Sequence, residues 1–159
     1  MMATAYINSP LGILKLQAAA EGLCEVAYEE GEEISISQTI PDELQAAVAQ
    51  LGEYFEGKRR EFSLKLSPQG TAFQKRVWNK LLAIPFGKTA TYQEMAQALG
   101  DPKTIRATAS ANGRNPIAII IPCHRVIGSD GSLTGYAGGL HRKKWLLEHE
   151  SPVVQQSLF

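Results

Sequence analysis

Through residues 3–29 apolar and polar side chains alternate in three runs, ATAYI, ILKLQA and LCEVAYE, separated by SPLG and AAEG. Period-two alternation broken by turn residues predicts a small antiparallel sheet. The acidic stretch EEGEEISISQ that follows has no period and predicts a loop. Over residues 42–57 the period lengthens: Leu44, Val48, Leu51 and Phe55 fall at i, i+4, i+7 and i+11, the stripe of one helix. EFSLKL returns to alternation, and SPQG (67–70) reads as a linker. These elements predict an N-terminal sheet-and-helix lobe over residues 1–68.

Beyond the linker the pattern turns helical. TAFQKRVWNKLLAIP places Phe73, Val77 and Leu81 on one face and stops at Pro85. In FGKTATYQEMAQALG, Thr91 and Glu94 form a capping-box pair that starts a helix near Tyr92, and Gly100 closes it. Asp101-Pro102 supplies an N-cap and a proline at N1 for a second short helix reaching about Gly113. Two short helices joined by a tight turn make a helix-turn-helix or a plain helical hairpin. The fold class expected is therefore α+β: a small antiparallel sheet lobe, then a mainly helical lobe over residues 71–150, then a tail, 151–159.

The second of these helices, within TIRATASANGR, carries mostly small side chains, with Arg106 its one long side chain early on. Reading base edges in the major groove takes several polar side chains that reach. Methyl and hydroxyl groups suit close approach to a shallow groove instead, so minor-groove docking with one inserted arginine is the expectation if DNA is the partner.

Charge sharpens that picture. The chain is neutral overall, yet residues 1–70 hold 5 Lys/Arg against 11 Asp/Glu, and residues 71–159 hold 11 against 5. Such asymmetry fits a second half that meets a polyanion, or simply solvated faces. No apolar run approaches the ~18 residues of a membrane span, the start MMATAYINSP lacks a signal-peptide pattern, and two cysteines do not make a disulfide framework. A cytoplasmic, monomeric protein with no membrane association is the expectation.

The chemistry concentrates at IPCHRV (121–126), which follows the apolar run IAIII and sets one of two cysteines beside one of three histidines. A zinc site wants about four ligands at recognisable spacings, whereas Cys24 lies far off, Cys123 and His124 are adjacent, and His141 and His149 fall later in a predicted helix, so no metal is expected. A buried structural cysteine remains open, since free Cys is among the residues most often buried. So does a nucleophile, which would need its thiolate made by neighbours: a histidine held by a carboxylate, with Glu150 preferred over Glu148 and Asp130. Adjacent strand residues face opposite ways, so His124 serves Cys123 only if the chain turns at 122–123 or a water relays the proton.

IPCHRV, preceded by RNP (114–116) and followed by GYAGG and KKWLLEHE, resembles the O6-alkylguanine-DNA alkyltransferases (methylated-DNA–protein-cysteine methyltransferases) from about Phe73 to Glu150. The resemblance implies double-stranded DNA carrying alkylated guanine as partner, O4-methylthymine as a further substrate, no cofactor, and irreversible transfer of the alkyl group to the protein's own cysteine. It assigns Cys123 as acceptor, His124 as the base acting through water, Glu150 as its orienting carboxylate and Asn115 as the brace of the turn. Tyr92 would contact the extruded nucleotide, rotate its phosphate and donate to charge developing on the leaving guanine. The backbone at Cys123 and Val126 would hold the guanine edge, with Lys143 and Ala137 lining the site. Arg106 would fill the gap in the base stack, and Thr104, Ala107 and Arg114 would join it at the DNA, with Lys75 and Lys103 as phosphate contacts. Ala137 stands where some members carry serine, Asn112 where some carry a larger apolar residue against the orphaned base, and the N-terminal metal ligands of certain relatives are missing.

Overall fold

A computed structural model describes residues 2–31 and 33–151; the sequence-predicted tail at 152–159 lies outside the described residues. The chain divides into two compact units, residues 1–69 with 116–120, and residues 70–115 with 121–159. The fold is α+β, as its residue pattern predicts.

In the first unit β1 (Ala3–Ile7), β2 (Ile13–Ala19) and β3 (Gly22–Glu29) form an antiparallel meander in that order. Register sets Ala5 opposite Leu16 and Leu16 opposite Val26, three positions that are buried together. The ladder shifts between Gln17 and Ala18, so that Ala18 faces Leu23 and Cys24 is the extra residue. A bulge of this kind turns two consecutive side chains the same way, which is why Leu23 and Cys24 are both buried. Helix α1 (Asp42–Phe55) packs on this sheet through Leu44, Ala47, Leu51 and Tyr54. The expected stripe was Leu44, Val48, Leu51 and Phe55; the buried face is rotated by one position at two of its four sites, leaving Val48 and Phe55 half-buried. Alanine's small side chain lets the helix come close at Ala47, and Tyr54 stands inward in place of its neighbour Phe55.

The alternating segment 61–66 pairs with the sheet only at Leu66, where Leu23 N–H donates to Lys65 O (2.9 Å) and Ser67 N–H to Leu23 O (2.7 Å). Gly22 is required at this junction, since a Cβ there would sit 2.6 Å from Lys65 O and its φ is +137°. Residues 116–120, expected within the second lobe, belong to the first unit: Val26 N–H donates to Pro116 O (3.0 Å) and Ala118 N–H to Val26 O (2.9 Å).

In the second unit α2 (Ala72–Leu81) begins at a Thr71–Gln74 capping box and buries Val77, Trp78 and Leu81. Trp78 Nε1 donates to Ala111 O at 2.9 Å, a hydrogen bond to the backbone near the end of α4. A two-residue strand β4 (Ala90–Thr91) leads into α3 (Tyr92–Ala98), whose Thr91–Glu94 capping box is formed as expected. Gly100 turns the chain at φ +98°, and Asp101 Oδ1 accepts from Lys103 N–H (2.9 Å), opening a 3₁₀ turn at Pro102–Thr104 that runs into α4 (Ile105–Gly113). Helices α3 and α4 pack on each other and on α2. After a 3₁₀ turn at Cys123–Arg125, β5 (Val126–Ile127) pairs in parallel with β4, and α5 (Leu140–Glu150) ends the described chain. Among the described residues no helix is long and apolar enough to cross a membrane.

Candidate active site

The run 117–121, expected to be a strand up to Pro122, makes a single bridge at Ile117 and then turns. Ile120 N–H donates to Ala118 O (2.8 Å) around Ile119, which adopts φ +73°. This is the γ-turn of positive φ, strained for a β-branched residue. Cys123 N–H then donates to Ile121 O (2.8 Å) around Pro122 at φ −82° and ψ 63°, an inverse γ-turn that the proline ring favours. Two sharp turns thus replace the strand and hand Cys123 and His124 to a 3₁₀ turn, where neighbouring side chains need not point to opposite faces.

Side chains from α4 and the segment after it tie this turn down. Asn115 Nδ2 donates to Ile121 O at 2.7 Å, and Asn112 Nδ2 reaches Cys123 O at 3.4 Å. Asn112, which stands where some family members carry a larger apolar residue, is only 1% exposed, with its amide on the cysteine turn. It falls on the same helical face as buried Thr108, one turn earlier, which is what a spacing of four residues dictates.

Behind Cys123, all within the unit, lies a buried ionic group. His124 Nε2 and Glu150 Oε2 are 2.8 Å apart, and both residues are nearly inaccessible to solvent. Arg125 forks onto the same carboxylate, Nε to Oε1 at 2.8 Å and Nη2 to Oε2 at 3.1 Å. Of the three candidate carboxylates Glu150 is therefore the one beside the imidazole; Glu148 sits 3.9 Å from Lys144, and Asp130 is exposed in a turn with Ser132. Burial opposes the charge on Glu150, but His124 and Arg125 outweigh it and hold its carboxyl at about 2. An ionised carboxylate only accepts hydrogen bonds, so the proton of a neutral His124 stands on Nε2 and its lone pair on Nδ1. Burial first, then the charges of Arg125 and Lys143, keep His124 below its ordinary value despite Glu150. Nδ1 is buried and has no hydrogen-bond partner among the described residues.

The Cys123 thiol is pushed up to about 11 by burial, with Asn115 and the Lys143 ammonium pulling it back in part. A sulfur made anionic by its neighbours at rest is thus not what the site holds: the thiol stays protonated, because desolvation exceeds the help those neighbours give. Lys143, itself buried, donates from Nζ to Val126 O and Thr134 O, both at 2.6 Å, and lies 5.8 Å from the Tyr92 ring centre. The Tyr92 hydroxyl donates to Thr134 O at 3.1 Å. Burial raises the Tyr92 phenol, so it keeps the proton it donates.

Tyr92 and Thr134 also line a groove of about 580 Å³, a size typical of small-ligand sites, together with Ile105, Arg106, Gly135 and Ala137. Cys123 is 6% exposed and does not itself line this groove; Tyr92 stands in both surroundings, a groove wall whose phenol a Cys123 thiolate would raise further. The expected residues therefore fall into two groups. Cys123, His124, Glu150, Asn115, Val126 and Lys143 are joined with Tyr92 by hydrogen bonds and short-range charge, while Arg106 and Ala137 share the groove with Tyr92. Ala107 and Arg114 are exposed on α4 and its C-cap outside the groove lining, and the Thr104 hydroxyl is engaged with Asp101 O at 2.7 Å. Sequence reasoning missed the fork of Arg125 and the Thr134 carbonyl, a backbone atom that no residue type could reveal. No cluster of three or more His, Cys, Asp or Glu that could hold a metal occurs among the described residues.

Comparison with known proteins agrees with this arrangement. Residues 72–152 match the family described as 6-O-methylguanine DNA methyltransferase, DNA binding domain, and residues 2–68 match its ribonuclease-like domain. A methylated-DNA–protein-cysteine methyltransferase of Methanosarcina acetivorans is 49% identical over 92% of this chain and 96% of its own. That of Mycobacterium tuberculosis is 48% identical over 91% and 89%. The solved Mycobacterium tuberculosis O6-methylguanine methyltransferase superposes with a TM-score of 0.82 at 44% identity over all of both chains. Mycobacterium tuberculosis OGT in complex with DNA gives 0.82 at 47% identity over 92% of each chain. With both halves matched in order and the cysteine, imidazole and carboxylate assembled as described, the chain belongs to the methylated-DNA–protein-cysteine methyltransferase family.

Proposed function

We propose that the protein repairs DNA by direct reversal, moving an alkyl group from O6 of guanine in duplex DNA to Sγ of Cys123, once per molecule. The observation that carries this reading is the buried Glu150–His124 pair, which leaves the Nδ1 lone pair unpartnered on the residue next to the thiol. Family membership and the relative solved with DNA support DNA as the partner.

The alkyl carbon of O6-alkylguanine lies inside the base stack, so the nucleotide must leave it, at a cost of about a few kcal/mol that is smaller for a poorly paired base. Arg106, exposed at the start of α4 and lining the groove, is the side chain placed to occupy the gap. The small residues of α4 let the helix approach a minor groove without selecting sequence. The Tyr92 hydroxyl exchanges Thr134 O for the extruded nucleotide, which opens the wall between the groove and the sulfur.

His124 Nδ1 then takes the thiol proton, directly or through one water, and sulfur attacks the alkyl carbon. The S–C bond forms as the C–O bond breaks, the electron pair goes to guanine, and the proton taken from sulfur ends on the base, restoring guanine. No redox partner or cofactor is needed for that balance. Lys143 and Asn115 favour the transient thiolate, and the thioether product has no carbonyl for water to attack, so the sulfur is not regenerated. O4-methylthymine offers the same aryl-ether carbon and is proposed as a second substrate.

Titration with an O6-methylguanine duplex tests the single turnover. Methyl loss from DNA is expected to stop at one equivalent per protein chain, whereas continued turnover at substoichiometric protein excludes the mechanism.

A further inference from the structure

We infer that Arg125 is a positioning residue for the transfer: by clamping both oxygens of Glu150 it keeps that carboxylate a pure acceptor, and so keeps the lone pair of His124 on Nδ1. The inference rests on the proposed role of Cys123 as acceptor, and extends it to a side chain that need not touch substrate. Arg125 is 6% exposed, and all three of its nitrogens are committed: Nε and Nη2 to Glu150, Nη1 to Ile84 O at 2.7 Å. Its guanidinium carbon stands 5.9 Å from the Phe86 ring centre. Such a planar fork, held on three sides, fixes the carboxylate in angle as well as charge.

Proton bookkeeping makes the case. With Arg125 present, an ionised Glu150 and a neutral His124 leave this buried trio without net charge. Take the guanidinium away and the carboxylate is a lone buried anion, which draws a proton onto the pair. If His124 holds that proton, both ring nitrogens are donors. If Glu150 holds it, the carboxyl O–H donates to Nε2 and the ring proton moves to Nδ1. Either way the lone pair is lost from the nitrogen that must receive the thiol proton. The groups that act on His124 are Glu150 and Lys143 from α5 and Arg125 from its own turn, which also holds Cys123. Helix α2, also packed on that turn, points Val77, Trp78 and Leu81 inward and leaves Lys75, Arg76 and Lys80 exposed. Arg125 and Lys143 also disfavour an imidazolium, so no charged ring stands beside the sulfur at rest to help ionise it, and the thiol is the form less prone to oxidation.

The test uses the full chain as Arg125→Met, similar in length without charge, and Arg125→Lys, charged without the fork. Ring ¹⁵N signals of His124 report its charge and tautomer, and the single-turnover methyl-transfer rate is followed against pH. The native protein is expected to show a neutral Nε2–H ring at neutral pH, its midpoint lowered by burial and by the charges of Arg125 and Lys143. In Arg125→Met the ring is expected to be charged or Nδ1-protonated. Where it is charged, the rate falls about tenfold for each unit by which the new midpoint exceeds the working pH and recovers above it. Arg125→Lys should fall between the two, and carries the test if the methionine variant does not fold. A ring signal unchanged in the folded variant, with a rate lowered equally at every pH, overturns the inference. Because the ring signals need no substrate, failure of the native protein to methylate Cys123 would count against the proposed function and not against the role of Arg125.

Discussion

At Cys123 two opposing effects meet, and their balance sets how the residue behaves before DNA arrives. Burial raises the thiol to about 11, whereas Lys143 and Asn115 lower it by less. Modification of Cys123 by a small uncharged electrophile in the free protein is therefore expected to be slow near neutrality and to accelerate as pH rises toward about 11; a plateau reached near pH 7 would mean that a resting thiolate exists after all. His124→Ala is expected to lower the single-turnover rate by about 10² to 10⁴, the usual worth of a positioned base, with folding retained. Glu150 adds a stability term with a definite sign. Its folded value of about 2 lies below the ordinary 4.5, so its contribution is complete above 4.5 and is lost as pH falls through about 2. Acid denaturation of Glu150→Gln, followed by circular dichroism, should show a shallower loss over that window than the native protein; equal slopes would remove Glu150 from the account.

At the scale of the element, α4 does two jobs on two faces. Its exposed face carries Arg106 and Ala107, while its buried face carries Thr108, Ala111 and Asn112 toward α2, α3 and the cysteine turn. Trp78 joins these roles through its bond to Ala111 O, so Trp78→Ala is expected to cost about 3–5 kcal/mol in denaturant unfolding and to slow transfer by loosening the turn. Arg106→Ala, by contrast, should weaken reaction with duplex DNA while leaving reaction with free O6-methylguanine little changed; equal losses on both would remove the finger role. Much of this was legible in the chain. Thr91 with Glu94, Asp101 with Pro102, and Gly100 announce the two helices through local chemistry, which short-range hydrogen bonds then fulfil. The run 117–121 misled because five apolar residues look the same whether they form a strand or a pair of tight turns, and burial rewards both. The rotated face of α1 was hidden for a related reason: alanine and tyrosine count weakly in a hydrophobic stripe, yet packing selected both. Glu150 was preferred on its place at the end of a helix, but its fork with Arg125 depends on a fold that brings residues 25 apart into contact.

Across the whole molecule, charge is unevenly divided between the halves, with the net positive half carrying α4 and the cysteine. Binding to undamaged duplex is expected to weaken as salt rises, with a log–log slope of about −0.9 per phosphate neutralised. Lys75→Ala and Lys103→Ala, at the two proposed phosphate contacts, should each reduce that slope by about one. Neutral composition overall and the family match leave the same central event, a carbon moved from base to sulfur. Intact mass followed by peptide mapping, after mixing with an O6-methylguanine duplex, tests that event most directly. The account predicts a gain of one CH₂ unit per chain, located on the peptide that holds Cys123 and absent from Cys123→Ala. A repaired duplex with Cys123 still at its unmodified mass would contradict it.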